Sequence, residues 1–130
     1  VRIDAIKTLY RPVDNELKEG VLGFLSDQSL TVEDVDIVVW GKSGDETFDQ
    51  SSDGILQQYF ENASVACFKH LSGEYPTAAA FGLWLAARIL QENYIPEPIV
   101  VRNTNRPLNR LLIYNSYFGT HHSFILLQKC

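Results

Sequence analysis

Three short stretches hold the side chains able to do chemistry. The first runs from Cys67 through Lys69 to Gly73 and Glu74. Lys69 follows an apolar run, where the C-terminal edge of a sheet strand would present a charge to a ligand. The alternative is a solvated turn lysine, paired with Glu74. Glu74 lies just ahead of a long apolar helix, and negative charge is favoured at such a start. It either caps that helix or serves as an acid or base, which needs a perturbed pKa and a substrate in reach. Cys67 would share a face with Lys69 if the strand ran on, and a neighbouring lysine lowers a thiol pKa. A Cys inside an apolar strand is otherwise inert core. The second stretch, Gly41-Lys42-Ser43-Gly44-Asp45, contains the tail of a phosphate-binding loop. The place of that motif's first glycine holds Asp36, so the spacing excludes it and leaves a polar loop. The third is His121-His122. Neighbours in a strand point to opposite faces, so the pair does not converge on one metal. His70 stands alone and reads as a surface histidine.

These groups depend on the elements around them. Val1 to Leu9 reads as a strand. Asp14 or Asn15 can cap a first helix carrying Leu17, Val21, Leu22 and Leu25 at helical spacing. Thr31 to Asp34 is an acidic connector. Val35 to Trp40 is short and β-branched, hence a buried strand. Gly41 to Ser52 reads as a polar loop, Asp53 to Glu61 as a second helix, and Ser64 to Phe68 as the next strand. A helix follows from Thr77 to about Gln91. Ile95-Pro96-Glu97-Pro98 interrupts regular structure, and Asn103 to Asn109 is a polar loop. Two late strands, Arg110 to Tyr114 and Ser123 to Gln128, flank Asn115 to His122, and their short connection predicts an antiparallel pair. The order βαβαβαββ predicts an α/β fold: a mixed, mostly parallel sheet with helices on both faces.

The apolar helix demands more than one sheet. Phe81, Leu83, Trp84, Leu85, Ile89 and Leu90 surround it and cannot all face the same surface. Leaving three of them wet would forfeit roughly 5–9 kcal/mol. A second layer is expected over this helix, from another chain or from a further part of this one.

The chain has 130 residues, enough for a single domain with one core. Its net charge of -5 argues against nucleic acid and anionic membrane as partners. No apolar run reaches the length of a membrane span. The start, VRIDAIKTLY, lacks a signal-peptide core, and two cysteines make no disulfide framework. A reducing cytoplasm is the expected compartment. The sequence contains no Met, which suggests a processed chain or a piece of a longer one.

Three segments resemble the C-terminal half of β-ketoacyl synthases, condensing enzymes of the thiolase fold. Val32 to Asp49, VEDVDIVVWGKSGDETFD, is similar to the stretch in which an acidic pair and a strand lead into His-Gly-Thr-Gly-Thr and then an Asp. GKSGD takes the place of that motif, and Asp49 the place of the Asp. Lys69 to Ala80, KHLSGEYPTAAA, resembles the family's Lys, Gly-His and small-residue run. Asn115 to Leu127, NSYFGTHHSFILL, resembles Asn-Ser-Phe-Gly-Phe-Gly-Gly-Thr-Asn and the final strand, with Phe118 beside the active site. Ile95-Pro96 matches as well.

The resemblance implies one thiolase-like repeat over residues 1–130. In the family two such repeats stack with their apolar helices between the sheets. It implies a site with Lys69 and Glu74 as catalytic candidates and with Gly41, Asp49, Phe118 and Gly119 around the substrate, without metal or cofactor. The family's two catalytic histidines are replaced by Gly41 and Glu74, a helix Glu by Leu83, and the half bearing the Cys nucleophile has no counterpart in this sequence. The implied partners are an N-terminal thiolase-like half or a second synthase subunit, and an acyl carrier protein, in fatty acid, polyketide or polyene pigment synthesis. Three functions follow: a non-catalytic partner like the chain-length factors, a divergent acyltransferase using Lys69 and Glu74, or an α/β module that dimerises through the 77–91 helix.

Overall fold

The β-branched run Ile37–Gly41 (β2) is buried at every position and forms the middle of a six-stranded sheet. The computed structural model describes residues 1–13 and 15–130. Around β2 stand β1 (Arg2–Tyr10), β3 (Ser64–Cys67), β4 (Val100–Arg102), β5 (Arg110–Tyr117) and β6 (His121–Gln128), in the order β1-β6-β5-β2-β3-β4. β5, β2 and β3 are mutually parallel. β6 runs against both β5 and β1, and β4 runs against β3. The sheet is therefore mixed, with β1 pointing the same way as the parallel core. The Asp36 carboxylate helps to set the central register. It accepts from the backbone N–H of Asn109 and of Arg110, each at 2.9 Å, and so ties the entry of β5 to that of β2.

Helices lie on both faces. α1 (Glu16–Ser26) and α2 (Glu46–Tyr59) cover one face, where Leu17, Val21, Phe24 and Leu25 meet Val38, Leu112, Phe124 and Leu126. α3 is a short turn, Lys69–Ser72, and α4 is Ala78–Glu92. α4 packs alone on the other face, with Leu85, Ala86, Ile89 and Leu90 over Ile37, Val39, Leu111 and Ile113. Among the described residues no helix is long and apolar enough to cross a membrane.

Several boundaries differ from the sequence expectation, for identifiable reasons. α2 begins at Glu46, inside the expected Gly41 to Ser52 loop, because Asp45 caps it by accepting from the Thr47 N–H at 2.9 Å. That first half buries only Asp49 and Ser52, so no apolar periodicity announces it. β5 and β6 run through most of the expected 115–122 loop, leaving only the Phe118–Thr120 tip. Their ladder continues through polar pairs, Asn115 with Ser123 and Ser116 with His122. β3 stops at Cys67 rather than Phe68, and β4 falls in a segment where no strand was expected. At the start of α1, Asn15 makes no side-chain cap; Glu16 instead accepts from the Val13 N–H at 2.9 Å. Asp14 lies outside the described residues.

The α4 face is only partly covered. The sheet buries Leu85, Ile89 and Leu90, half-buries Phe81 and Leu83, and leaves Trp84 58% exposed. Beside α4 lies bare sheet. Ile3 and Ile6 pair with Leu127 and Ile125, which belong to the core beneath α4, so their side chains point to the same side. Ile3 is 46%, Ile6 61% and Tyr10 62% exposed. Covering these with Trp84 would stabilise an assembly by on the order of 5 kcal/mol.

Candidate functional site

The carboxyl ends of β2, β3 and β5 lie side by side, and they gather the sequence-flagged residues at one edge of the sheet. After β3 the chain turns sharply. The N–H groups of Leu71 and Ser72 return to the Phe68 carbonyl at 3.0 and 3.1 Å, and that of Gly73 to the Lys69 carbonyl at 2.8 Å. Gly73 takes φ 85, which turns the chain so that Glu74 comes back onto Lys69. Lys69 is therefore no solvated turn residue: its side chain is 1% exposed. Its Nζ donates to Glu74 Oε1 at 2.9 Å and Oε2 at 2.8 Å, and also to the Ser116 carbonyl on β5. An ammonium has three protons, and these contacts use all of them. Glu74 serves this pair rather than capping α4, whose start at Thr77 has no side-chain cap.

Gly41 closes β2 opposite Asn115. A Cβ at Gly41 would collide with Asn115 Oδ1 and stand 3.1 Å from Asn115 Cα. Asn115 is itself buried, and its Oδ1 has no hydrogen-bond partner among the described residues. The space an imidazole at position 41 would need is thus filled by the Asn115 amide. Towards the uncovered face, an open cleft of about 420 Å³ lies between the end of β1 and the start of α4, lined by Thr8, Tyr10, Pro76, Ala79, Asn115 and Tyr117.

Asp49 is buried and holds the preceding loop. It accepts from the Ser43 N–H and Oγ at 3.0 Å each and from the Gly44 N–H at 2.8 Å. Lys42 of the same loop stands 3.6 Å from Asp53 and lies over the Trp40 ring at 5.1 Å from its centroid. Phe118 and Gly119 form the hairpin tip with φ 47 and φ 64. The Phe118 ring is half exposed and meets Phe48 edge-on at 5.9 Å between centroids. A Cβ at Gly119 would come within 2.9 Å of the Phe48 ring, so α2 seats the tip from below. The structure thus brings Lys69 and Glu74 into contact and sets Gly41 in the neighbouring strand, next to Asn115. Asp49 serves its own loop, and Phe118 and Gly119 stand at the rim.

The remaining candidates separate. His121 is exposed and touches Tyr10, whereas His122 is buried on the opposite face, with its Nδ1 2.7 Å from the Tyr114 hydroxyl. His70 is exposed, with Nε2 2.8 Å from the Pro98 carbonyl. Because β3 ends at Cys67, Lys69 does not act on the thiol. Burial pushes the Cys67 pKa up to about 11, and the cation that opposes this is Lys42. At pH 7.5 a thiol reagent is expected to modify the exposed Cys130 at least tenfold faster than Cys67, as mass spectrometry of partly labelled protein would show. Equal rates would mean that the strand end opens.

Two contributors escaped sequence reasoning. Ser116 acts through its carbonyl, which leaves no sequence signal. Asn115 carries one, a polar residue ending the apolar run LLIY, but that pattern reads equally as the start of a loop.

No protein-family profile matches the sequence, and no curated protein is detectably similar to it. Among solved structures the chain is similar to the oxazolomycin ketosynthase domain KS8 of Streptomyces albus JA3453, with a TM-score of 0.75 at 11% identity. The match covers 98% of this chain but only 44% of that ketosynthase domain. The chain therefore has the fold of less than half of a ketosynthase-like, thiolase-type structure.

Proposed function

We propose that this chain is one half of a ketosynthase-like assembly, silent in condensation by itself, which acts as a partner to a second thiolase-type layer. The observation that carries this reading is the uncovered α4 face on a chain whose fold spans 44% of a ketosynthase domain. The missing layer would cover Trp84, Ile3, Ile6 and Tyr10 and would roof the cleft beside Asn115. The covering half is an N-terminal thiolase-like half or a second synthase subunit. An acyl carrier protein would serve the assembly, whose acyl tunnel this half would help to shape, as chain-length factors do.

The chemistry of the strand ends supports silence. Decarboxylative condensation builds negative charge on a thioester oxygen, which must be met by hydrogen-bond donors. In the two places where the resemblance has histidine, this chain has a glycine with no room for a side chain and a carboxylate that would repel the charge. Lys69, the remaining cation, has no free proton to offer. The same contacts count against the alternative of an acyl transfer run by Lys69 and Glu74, since each already satisfies the other. With acyl- and malonyl-loaded carrier protein, the chain is expected to release no CO2 and form no carbon–carbon bond above the protein-free background. Catalytic release of CO2 by the chain alone would overturn the proposal.

A further inference from the structure

The hairpin tip that carries Phe118 is held from inside the fold by a short hydrogen-bonded chain. His122 sits in β6 with its ring stacked on Tyr114 at 5.9 Å and 15°, and Tyr114 stacks in turn on Phe124. The two ring nitrogens face different partners. Nε2 lies 3.1 Å from the Gly119 carbonyl, and Nδ1 lies 2.7 Å from the Tyr114 hydroxyl. A carbonyl can only accept, so Nε2 carries the proton. In the neutral ring Nδ1 is then bare and accepts from the Tyr114 O–H. The tip therefore hangs from a neutral imidazole in one defined tautomer.

We propose that the His122–Tyr114 pair is a proton-operated latch on the tip that carries Phe118. With His122 neutral, the latch is shut. A second proton would go onto Nδ1, against the Tyr114 hydroxyl, and would place a full charge inside the core. The Gly119 carbonyl, which accepts from Nε2–H, favours such a charge, but burial outweighs it and little else around the ring compensates. From β5 it meets the neutral Tyr114 and Ser116, and from β1 the apolar Leu9. α1 reaches this region with Gly20 against Leu9 and Phe124 and with the Phe24 ring on Phe124, none of them charged. The next residue, His121, opposes a positive charge. Of the acidic groups on α2, Asp49 acts on the Tyr114 hydroxyl but is already committed to the Ser43 and Gly44 N–H groups. Arg11 meets the tip through its backbone, where its N–H donates to the Thr120 carbonyl at 2.7 Å. Burial accordingly holds the His122 pKa below the ordinary histidine value.

The sign follows from linkage. A base whose pKa is lower in the folded state is neutral there, and its contribution is intact above its unfolded value of about 6.5. As pH falls below that value the charged ring is favoured in solvent. His122 can reach solvent only by dropping the Gly119 carbonyl. The tip has left-handed backbone at Phe118 and Gly119 and is otherwise held by the Thr120 N–H and Oγ1 donating to Tyr117, by the Arg11 N–H on the Thr120 carbonyl and by Phe48 beneath Phe118; it is the segment set to open.

The test is nitrogen NMR of the His122 ring from pH 4 to 8, alongside amide exchange at Gly119 and Thr120 corrected for its intrinsic pH dependence. Expected are the Nε2–H tautomer at neutral pH, a titration below 6.5, and at least tenfold faster exchange at the tip in step with it. In His122→Phe the tip should exchange fast throughout and lose its pH dependence. The proposal is overturned by an Nδ1–H tautomer, by a tip that stays protected while His122 titrates, or by a pH response that survives in His122→Phe.

Discussion

Lys69→Met is expected to destabilise the chain by about 3–5 kcal/mol, because it leaves Glu74 with an uncompensated charge in a largely closed site. Glu74→Leu should cost about as much, since the ammonium it strands is the more deeply buried of the two, with 1% against 19% side-chain exposure. The double variant Lys69→Met/Glu74→Leu should recover most of the loss, as buried pairs exchanged for apolar groups of similar size are often close to neutral. A residual of about 1–3 kcal/mol should remain from the Ser116 carbonyl, which no longer has a donor. Urea unfolding of the four proteins gives the coupling directly. If the single losses add to within about 0.5 kcal/mol, the two side chains do not act as a unit.

Trp84→Lys should have the opposite profile: little effect on the chain's own stability and a large one on assembly. Trp84 is 58% exposed, and exposed positions usually shift stability by under about 0.5 kcal/mol. At a buried interface, however, tryptophans often carry 2 kcal/mol or more, so at least about a thirtyfold loss of affinity is expected. The two tryptophans make the measurement simple. Trp40 is buried at 5% exposure, so in the chain alone acrylamide should quench the Trp84 emission selectively. In the native protein isolated from its producing cells both should be protected, and Trp84→Lys should release the covering layer. A freely quenched Trp84 in the native protein would refute the assembly. A native complex of twice 14.7 kDa that denatures to a single 14.7 kDa species would instead identify a second copy of this chain as the cover.

The parts of the fold that were legible in the sequence are those in which apolar periodicity and burial coincide. VDIVVW became β2, the apolar run after Thr77 became α4, and strand–helix alternation implied the layered sheet. The parts that were not legible are held by polar groups. The first half of α2 rests on Asp45 and Asp49, and the inner end of the β5–β6 hairpin rests on Ser116 and His122. A hydrogen bond to a backbone carbonyl or amide has no sequence period, so these segments read as loops. The site followed the same division. Lys69 and Glu74 were visible as charges flanking an apolar helix. Their mutual engagement was not, because it needs the turn at Gly73 and the carbonyl of Ser116, which is distant in sequence.

The pairing of β1 with β6 has a consequence for how the protein is made. Arg2 lies opposite Gln128, and their side chains meet at 3.3 Å, so the two ends of the domain are sewn into one ladder. Closing a loop of 126 residues costs about 4 kcal/mol of chain entropy, which only the completed ladder can return. During synthesis β1 must wait, with Ile3 and Ile6 unpaired, until β6 has left the ribosome. The sheet is thus closed late, and until β6 emerges β1 remains a bare strand with its apolar side uncovered.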